Sequence, residues 1–81
     1  MHWVYIVECK DGTLYTGWTT DIEKRLEKHN QGKGAKYTRS RAPVVLKHLE
    51  EFTSRQEAMQ REWFIKSLVR EEKLKIIANQ R

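Results

Sequence analysis

Glu62 stands where a simple amphipathic helix would carry an apolar residue. Ala58, Glu62, Ile65 and Val69 fall at i, i+4, i+7 and i+11, which is one helical face. At about 100° per residue, Glu62 lies about 40° from Ala58, on the side of Met59. A partly buried carboxylate is costly without a partner. It either pairs with a nearby Arg or Lys at the edge of the stripe, or it faces a cleft as a ligand for a hard cation such as Mg²⁺. Arg25 and His29 form an i, i+4 pair on another helix, whose only apolar pair is Ile22 and Leu26. The spacing predicts that both emerge at the edge of the buried surface. There an arginine can clamp a phosphate with two donors, and a histidine can accept or deliver a proton near neutral pH. A solvated Arg and His on an ordinary helix is the plainer reading. Lys33, Lys36, Arg39 and Arg41 lie close together, interleaved with Tyr37 and Thr38 and flanked by Gly32 and Gly34. Such a loop suits a phosphate backbone, with Tyr37 free to stack on a base. A flexible, solvated loop is the alternative.

Elements must position these groups. Residues 3–9 are β-branched and aromatic and read as a strand, and residues 14–18 read as a second. A three-residue loop, Lys10-Asp11-Gly12, with Gly12 in the left-handed position pairs Val7 with Tyr15 and Tyr5 with Gly17. Both tyrosines then share a face, whereas a two-residue loop would separate them. Thr20 and Glu23 read as a capping box opening a helix that runs to about Asn30. A basic loop spans 31–43, and 44–52 is a third strand. Ser54 and Glu57 cap a helix to about Val69, and Glu71 and Glu72 open a last short helix. The order is ββαβαα: an α+β fold with a small, mainly antiparallel three-stranded sheet flanked by helices. Trp63 points well away from the Ala58 stripe, so it is either exposed or covered by the last helix, a packed aromatic being the plainer reading.

The 81 residues read as one domain, 1–81, with 38% apolar residues and mixed charge, which argues against disorder. Sixteen Lys and Arg against 11 Asp and Glu give a net charge of +5, a balance often found in partners of nucleic acid. The lone Cys9 excludes an internal disulfide framework and reads as a small apolar strand residue. His2 and His48 have no metal-site spacing. No apolar run approaches a membrane span, and no secretory signal is visible, so the expectation is a cytoplasmic protein.

Trp3-Val4-Tyr5 followed by Tyr15-Thr16-Gly17 resembles the paired tripeptides of the GIY-YIG nuclease superfamily. Arg25, His29 and Glu62 follow in that family's order, and residues 29–39 resemble a small stand-alone bacterial subfamily related to the N-terminal domain of excinuclease C. The resemblance covers about Trp3 to Ile77. Trp3 replaces the glycine of the first tripeptide and Thr16 the isoleucine of the second, and Trp18 stands where many relatives carry a lysine. The resemblance implies a GIY-YIG endonuclease-like fold and hydrolysis of DNA phosphodiester bonds with Mg²⁺ or Mn²⁺, in repair or in processing branched or single-stranded DNA.

It also implies site roles. Tyr5 is the general base or a relay, with Arg25 and the ion lowering its pKa. Tyr15 holds the water or the scissile phosphate, Arg25 stabilises charge in the transition state, His29 bonds Tyr5 or the phosphate, and Glu62 holds the ion. Gly17 leaves open space for the substrate backbone, and Lys33, Lys36, Tyr37, Arg39 and Arg41 bind nucleic acid. Lys36 or Lys33 would serve in place of the lysine missing at Trp18. DNA is the expected partner, with no membrane and no small-molecule cofactor. A monomer is expected, with weak self-association left open. The competing readings are a non-catalytic nucleic-acid-binding module on the same basic surface, and a protein-interaction adapter using Trp63 and Phe64.

Overall fold

A computed structural model describes residues 1–79. Strands β1 (His2–Glu8) and β2 (Leu14–Thr19) form an antiparallel hairpin. Gly12 has φ +84°, a region open to glycine because it has no Cβ. Asp11 Oδ1 accepts hydrogen bonds from the Thr13 N–H at 3.1 Å and the Thr13 hydroxyl at 2.6 Å, which closes the turn. The register pairs Val7 with Tyr15 and Tyr5 with Gly17, as expected. The Tyr5 and Tyr15 rings accordingly sit on one face, 6.5 Å apart.

Strand β3 (Val45–Phe52) pairs with the other edge of β1, so the order is β2-β1-β3 and every pairing is antiparallel. The central strand is buried on both sides, and its alternation splits the interior in two. Val4 and Ile6 pack against Ala58 and Ile65 of the second helix, with Ile76 and Ile77 of the third nearby. Tyr5 and Val7 face the opposite way, towards Val44, Ile22 and Leu26. Helices thus cover both faces of an α+β sandwich, and the predicted ββαβαα order holds.

Element ends depart from expectation. Helix α1 (Ile22–Asn30) is capped by Asp21 rather than Thr20. Asp21 accepts from the Lys24 N–H at 3.1 Å, while Thr19 Oγ1 accepts from the Asp21 N–H at 3.1 Å. The threonine that ties the turn is therefore the last residue of β2, and the cap falls one residue further on. Helix α2 (Arg55–Lys66) begins as predicted, with Ser54 accepting from the Glu57 N–H, but stops short of Val69. Ser67 turns its hydroxyl back to the Phe64 carbonyl at 2.6 Å. Val69 becomes the exposed N-cap of α3 (Arg70–Ala78), which starts one residue before Glu71. Strand β3 starts at Val45 rather than Val44, whose N–H is held by Asn30 Oδ1 at 2.7 Å. Between α1 and β3 the expected open loop contains a 3₁₀ turn at Lys36–Thr38. Among the described residues no helix is long and apolar enough to cross a membrane.

Ile65 is fully buried and keys α2 to the sheet. Ile65→Ala is expected to cost about 2–5 kcal/mol, a large share of what so small a domain holds. Val69→Ala, at an exposed position, should stay within about 0.5 kcal/mol. Urea unfolding of both variants checks this, and comparable losses would contradict the assigned packing.

Candidate active site

At the β2 edge of the sheet the two helical layers approach each other around a cleft of about 330 Å³. The hairpin contributes Tyr5, Tyr15 and the segment 17–20, α1 contributes Arg25, and α2 contributes Glu62. The residues singled out on the hairpin and on two separate helices therefore meet in one place.

Tyr5 is almost fully buried, and its hydroxyl lies 2.9 Å from His29 Nε2. His29 Nδ1 lies 2.7 Å from Thr38 Oγ1, which in turn donates to the Ala35 carbonyl at 2.9 Å. Thr38 has a single hydroxyl proton, and the Ala35 carbonyl takes it. Thr38 must then accept from His29 Nδ1–H, which leaves Nε2 as the acceptor for the Tyr5 hydroxyl. The chain of bonds thus assigns the tautomer of a neutral imidazole. Burial, and then the Arg25 charge, push the His29 pKa below its usual value, which is consistent with that form.

His29 does not emerge at the edge of the buried surface, as its spacing predicted. It is fully buried, because the 31–43 segment folds over it. Gly34 makes this closure feasible: a Cβ there would fall on the imidazole at Nδ1. Gly17 lines the cleft, but the space a side chain would take there is filled: a Cβ would lie 2.5 Å from Tyr5 Oη and 2.7 Å from Cζ. Gly17 exists to admit the Tyr5 ring. Burial sets the acidity of Tyr5. Burial raises the Tyr5 pKa well above the ordinary phenol value, Tyr15 and Glu62 add to the rise, and Arg25 opposes it without offsetting it. These surroundings favour the neutral phenol over the tyrosinate.

Tyr15 is surrounded by rings and charge. It stacks on Tyr37 at 5.8 Å and 22°, meets His29 edge-on at 5.6 Å, and has Lys66 Nζ 5.7 Å from its centroid. Its hydroxyl has no hydrogen-bond partner among the described residues, and the residue lines the cleft. Arg25 lines the cleft too and forms no ion pair among the described residues. The Glu62 side chain is 20% exposed, and its one ion-pair partner there is Lys66, at 3.6 Å. A carboxylate so placed could hold a hard cation that keeps several of its waters. Among the described residues no three His, Cys, Asp or Glu side chains cluster.

The basic loop divides. Lys33, Lys36 and Arg39 are exposed. Arg41 is committed, with Nε 3.0 Å from Asp11 Oδ2, Nη1 donating to the Tyr37 carbonyl at 2.6 Å, and Cζ 4.1 Å from the Tyr37 ring centroid. Tyr37 is thereby packed against Tyr15 and Arg41. Thr38, Gly34 and Lys66 were not foreseen as site residues. Two glycines close together in a basic loop hinted at a tight approach, but nothing in the spacing pointed Thr38 at His29.

The family model described as the GIY-YIG catalytic domain matches residues 1–75. The chain belongs to the GIY-YIG family. That family is one of nucleases and binds DNA. Similar members are small UPF0213 proteins. One from Halobacterium salinarum is 59% identical over 73 residues, covering 90% of this chain and 95% of that one. One from Staphylococcus haemolyticus is 59% identical over 76 residues, covering 94% and 93%. The solution structure of a UPF0213 protein from Bacillus halodurans is 51% identical, covers 95% of this chain and 82% of that one, and superposes with a TM-score of 0.63. In this GIY-YIG chain the tripeptide positions kept as Tyr5, Tyr15 and Gly17 are those that build the cleft wall. Trp3 and Thr16, the departures, do not line it.

Two outcomes follow from the buried relay. A histidine whose folded pKa is depressed binds fewer protons folded than unfolded. Its contribution to stability is complete above the unfolded value of about 6.5 and is lost as pH falls towards the folded value. At Glu50, burial opposes ionisation, but hydrogen bonds from Arg61 and His48 and their charges outweigh it and hold the carboxyl below its usual range. Glu50 therefore adds a second loss at lower pH. Urea midpoints should fall on acidification from about pH 7 to 5.5, and a rise would contradict the assignment. In Thr38→Val the Nδ1–H loses its acceptor, at a cost of about 1–3 kcal/mol. Imidazole ¹⁵N shifts should show the single Nδ1–H tautomer in the wild type and a mixture in the variant.

Proposed function

We propose that this chain is a divalent-metal-dependent endonuclease that hydrolyses DNA phosphodiester bonds, acting in repair or in the processing of branched or single-stranded DNA. The observation that carries the reading is the convergence on one cleft of a guanidinium without an ion pair among the described residues, a half-buried carboxylate and a hydrogen-bonded Tyr–His pair.

Each residue has a task its surroundings suit. Tyr5 Oη already donates its proton to His29 Nε2, so its oxygen lone pairs are free to accept one from an attacking water. As that proton arrives, the phenol proton passes to Nε2, and no free tyrosinate need form. This relay suits a phenol of raised pKa beside a neutral imidazole better than ionisation in advance. Thr38 keeps Nε2 the basic nitrogen. Tyr15 Oη positions the water or a phosphate oxygen. Arg25 stabilises the charge that builds on the phosphoryl oxygens, a role worth most in a site shielded from water. Glu62 is the residue that would hold the divalent ion, Mg²⁺ or Mn²⁺. When bound, that ion supplies Lewis-acid stabilisation of the phosphate and the leaving oxygen. Lys33, Lys36 and Arg39 draw in the DNA backbone, a contribution that weakens as salt rises.

Nicking of supercoiled plasmid and cutting of a branched oligonucleotide, with Mg²⁺ or Mn²⁺ and with EDTA, test the proposal. Wild type should cut only with metal, and Glu62→Ala, Arg25→Ala and Tyr5→Phe should each lose about 10²-fold or more while remaining folded. Cutting that survives in EDTA or in Glu62→Ala overturns the mechanism. Salt-sensitive binding without cutting by wild type would assign a binding module instead.

A further inference from the structure

A second surface, larger than the cleft, is a shallow apolar groove of about 760 Å³ on the outer side of α2, lined by Arg55, Gln56, Met59, Gln60, Trp63 and Phe64. The sequence leaves Trp63 either exposed or packed beneath the last helix, with packing the plainer reading. Instead it is 72% exposed, beside Phe64 at 47% and Met59 at 42%. Helix α3 goes elsewhere, placing Ile76 and Ile77 against the Val4 and Ile6 core. Three large apolar side chains on one helix face are an interaction surface in search of a ligand.

We propose that this groove binds the unstacked bases of a single-stranded nucleic-acid segment running out of the cleft. The proposal deepens the nuclease reading and rests on it for the position of the phosphate.

Continuity favours this occupant. Going round α2 from Glu62, at about 100° per residue, Arg55 comes at about 20°, Met59 at about 60° and Trp63 at about 100°. The groove therefore begins beside the cleft carboxylate. Trp18 lines the cleft, and the Arg55 guanidinium lies 5.6 Å from its ring centroid, bridging the two surfaces. A strand with one phosphate at Arg25 and Glu62 that leaves on this side must pass Trp18 and Arg55 and then meet Met59 and Trp63.

Lining chemistry favours it as well. The groove has an arginine at its cleft end and no carboxylate, in a chain of net charge +5. Exposed aromatic faces stack on any base, and the Gln56 and Gln60 amides offer both donors and acceptors to base edges. The far wall is fixed: Arg61 lies 5.4 Å from the Phe64 ring centroid and holds Glu50 with two bonds, of 2.8 and 3.0 Å. A preformed platform loses little on binding.

The test is the anisotropy of labelled oligothymidylate and of a blunt duplex, in EDTA and in a Glu62→Ala background, so that cutting plays no part. Trp63→Leu should weaken oligothymidylate binding about tenfold and change duplex binding by less than about twofold. Stacking releases no counterions, so the salt slope should be unchanged. Trp63→Phe should retain most of the affinity, and Leu74→Ala, an exposed apolar residue on α3, should change nothing. Equal losses for the two probes, or no loss, overturn the proposal. So does a dimer in sedimentation that Trp63→Leu dissociates, which would assign the groove to a second copy. A groove that fails beside intact metal-dependent cutting leaves the nuclease reading standing. A groove that holds without cutting removes catalysis alone.

Discussion

The hydrogen bond from Tyr5 Oη to His29 Nε2 ties the middle of the sheet to the end of α1, and the rest of the cleft depends on it. It requires a tyrosine on the strand buried from both sides, a glycine on the neighbouring strand to make room for its ring, and a helix whose last turn faces the sheet. It also requires the basic loop to close over the imidazole, which Gly34 permits and Thr38 secures. Each condition is steric or satisfies a buried polar atom, and together they bring hairpin, helix and loop into one construction. Tyr15 completes it by touching His29, Tyr37 and Tyr5 at once.

At Tyr5 desolvation outweighs charge, raising the phenol against the opposing pull of Arg25, whereas at His29 burial and the Arg25 charge act together to lower the imidazole. Both groups are thereby kept neutral in the resting protein. A neutral donor beside a neutral acceptor is stable when buried and still able to pass a proton, whereas a buried tyrosinate would be costly. The charged groups, Arg25 and Glu62, stand instead in the lining of the cleft.

The polypeptide solves two packing problems with one helix. The Ala58 and Ile65 side of α2 closes the core on one face of the sheet, while Glu62 reaches round the β2 edge towards the tyrosines on the other face. That is why a carboxylate stands on an apolar stripe. It occupies the boundary between buried and open surface, with Lys66 one turn away to moderate its charge.

Much of this was legible in one dimension because it is local. Hairpin register follows from a loop length and a glycine, element order from period and punctuation, and the oddity of Glu62 from its position on a helix wheel. The α1 cap, the early end of α2 and the start of β3 were misplaced because each turns on a side-chain bond, by Thr19, Ser67 or Asn30, that competes with an equally plausible neighbour. The sequence by itself determined which residues were chemically unusual and that they could share a sheet face and a cleft. Tertiary structure alone decided that His29 is buried and Trp63 exposed, that Gly17 and Gly34 are spaces for rings, and which nitrogen of His29 is basic. Those outcomes depend on contacts between segments far apart in the chain, and neither periodicity nor composition records what a side chain meets once the chain has closed on itself.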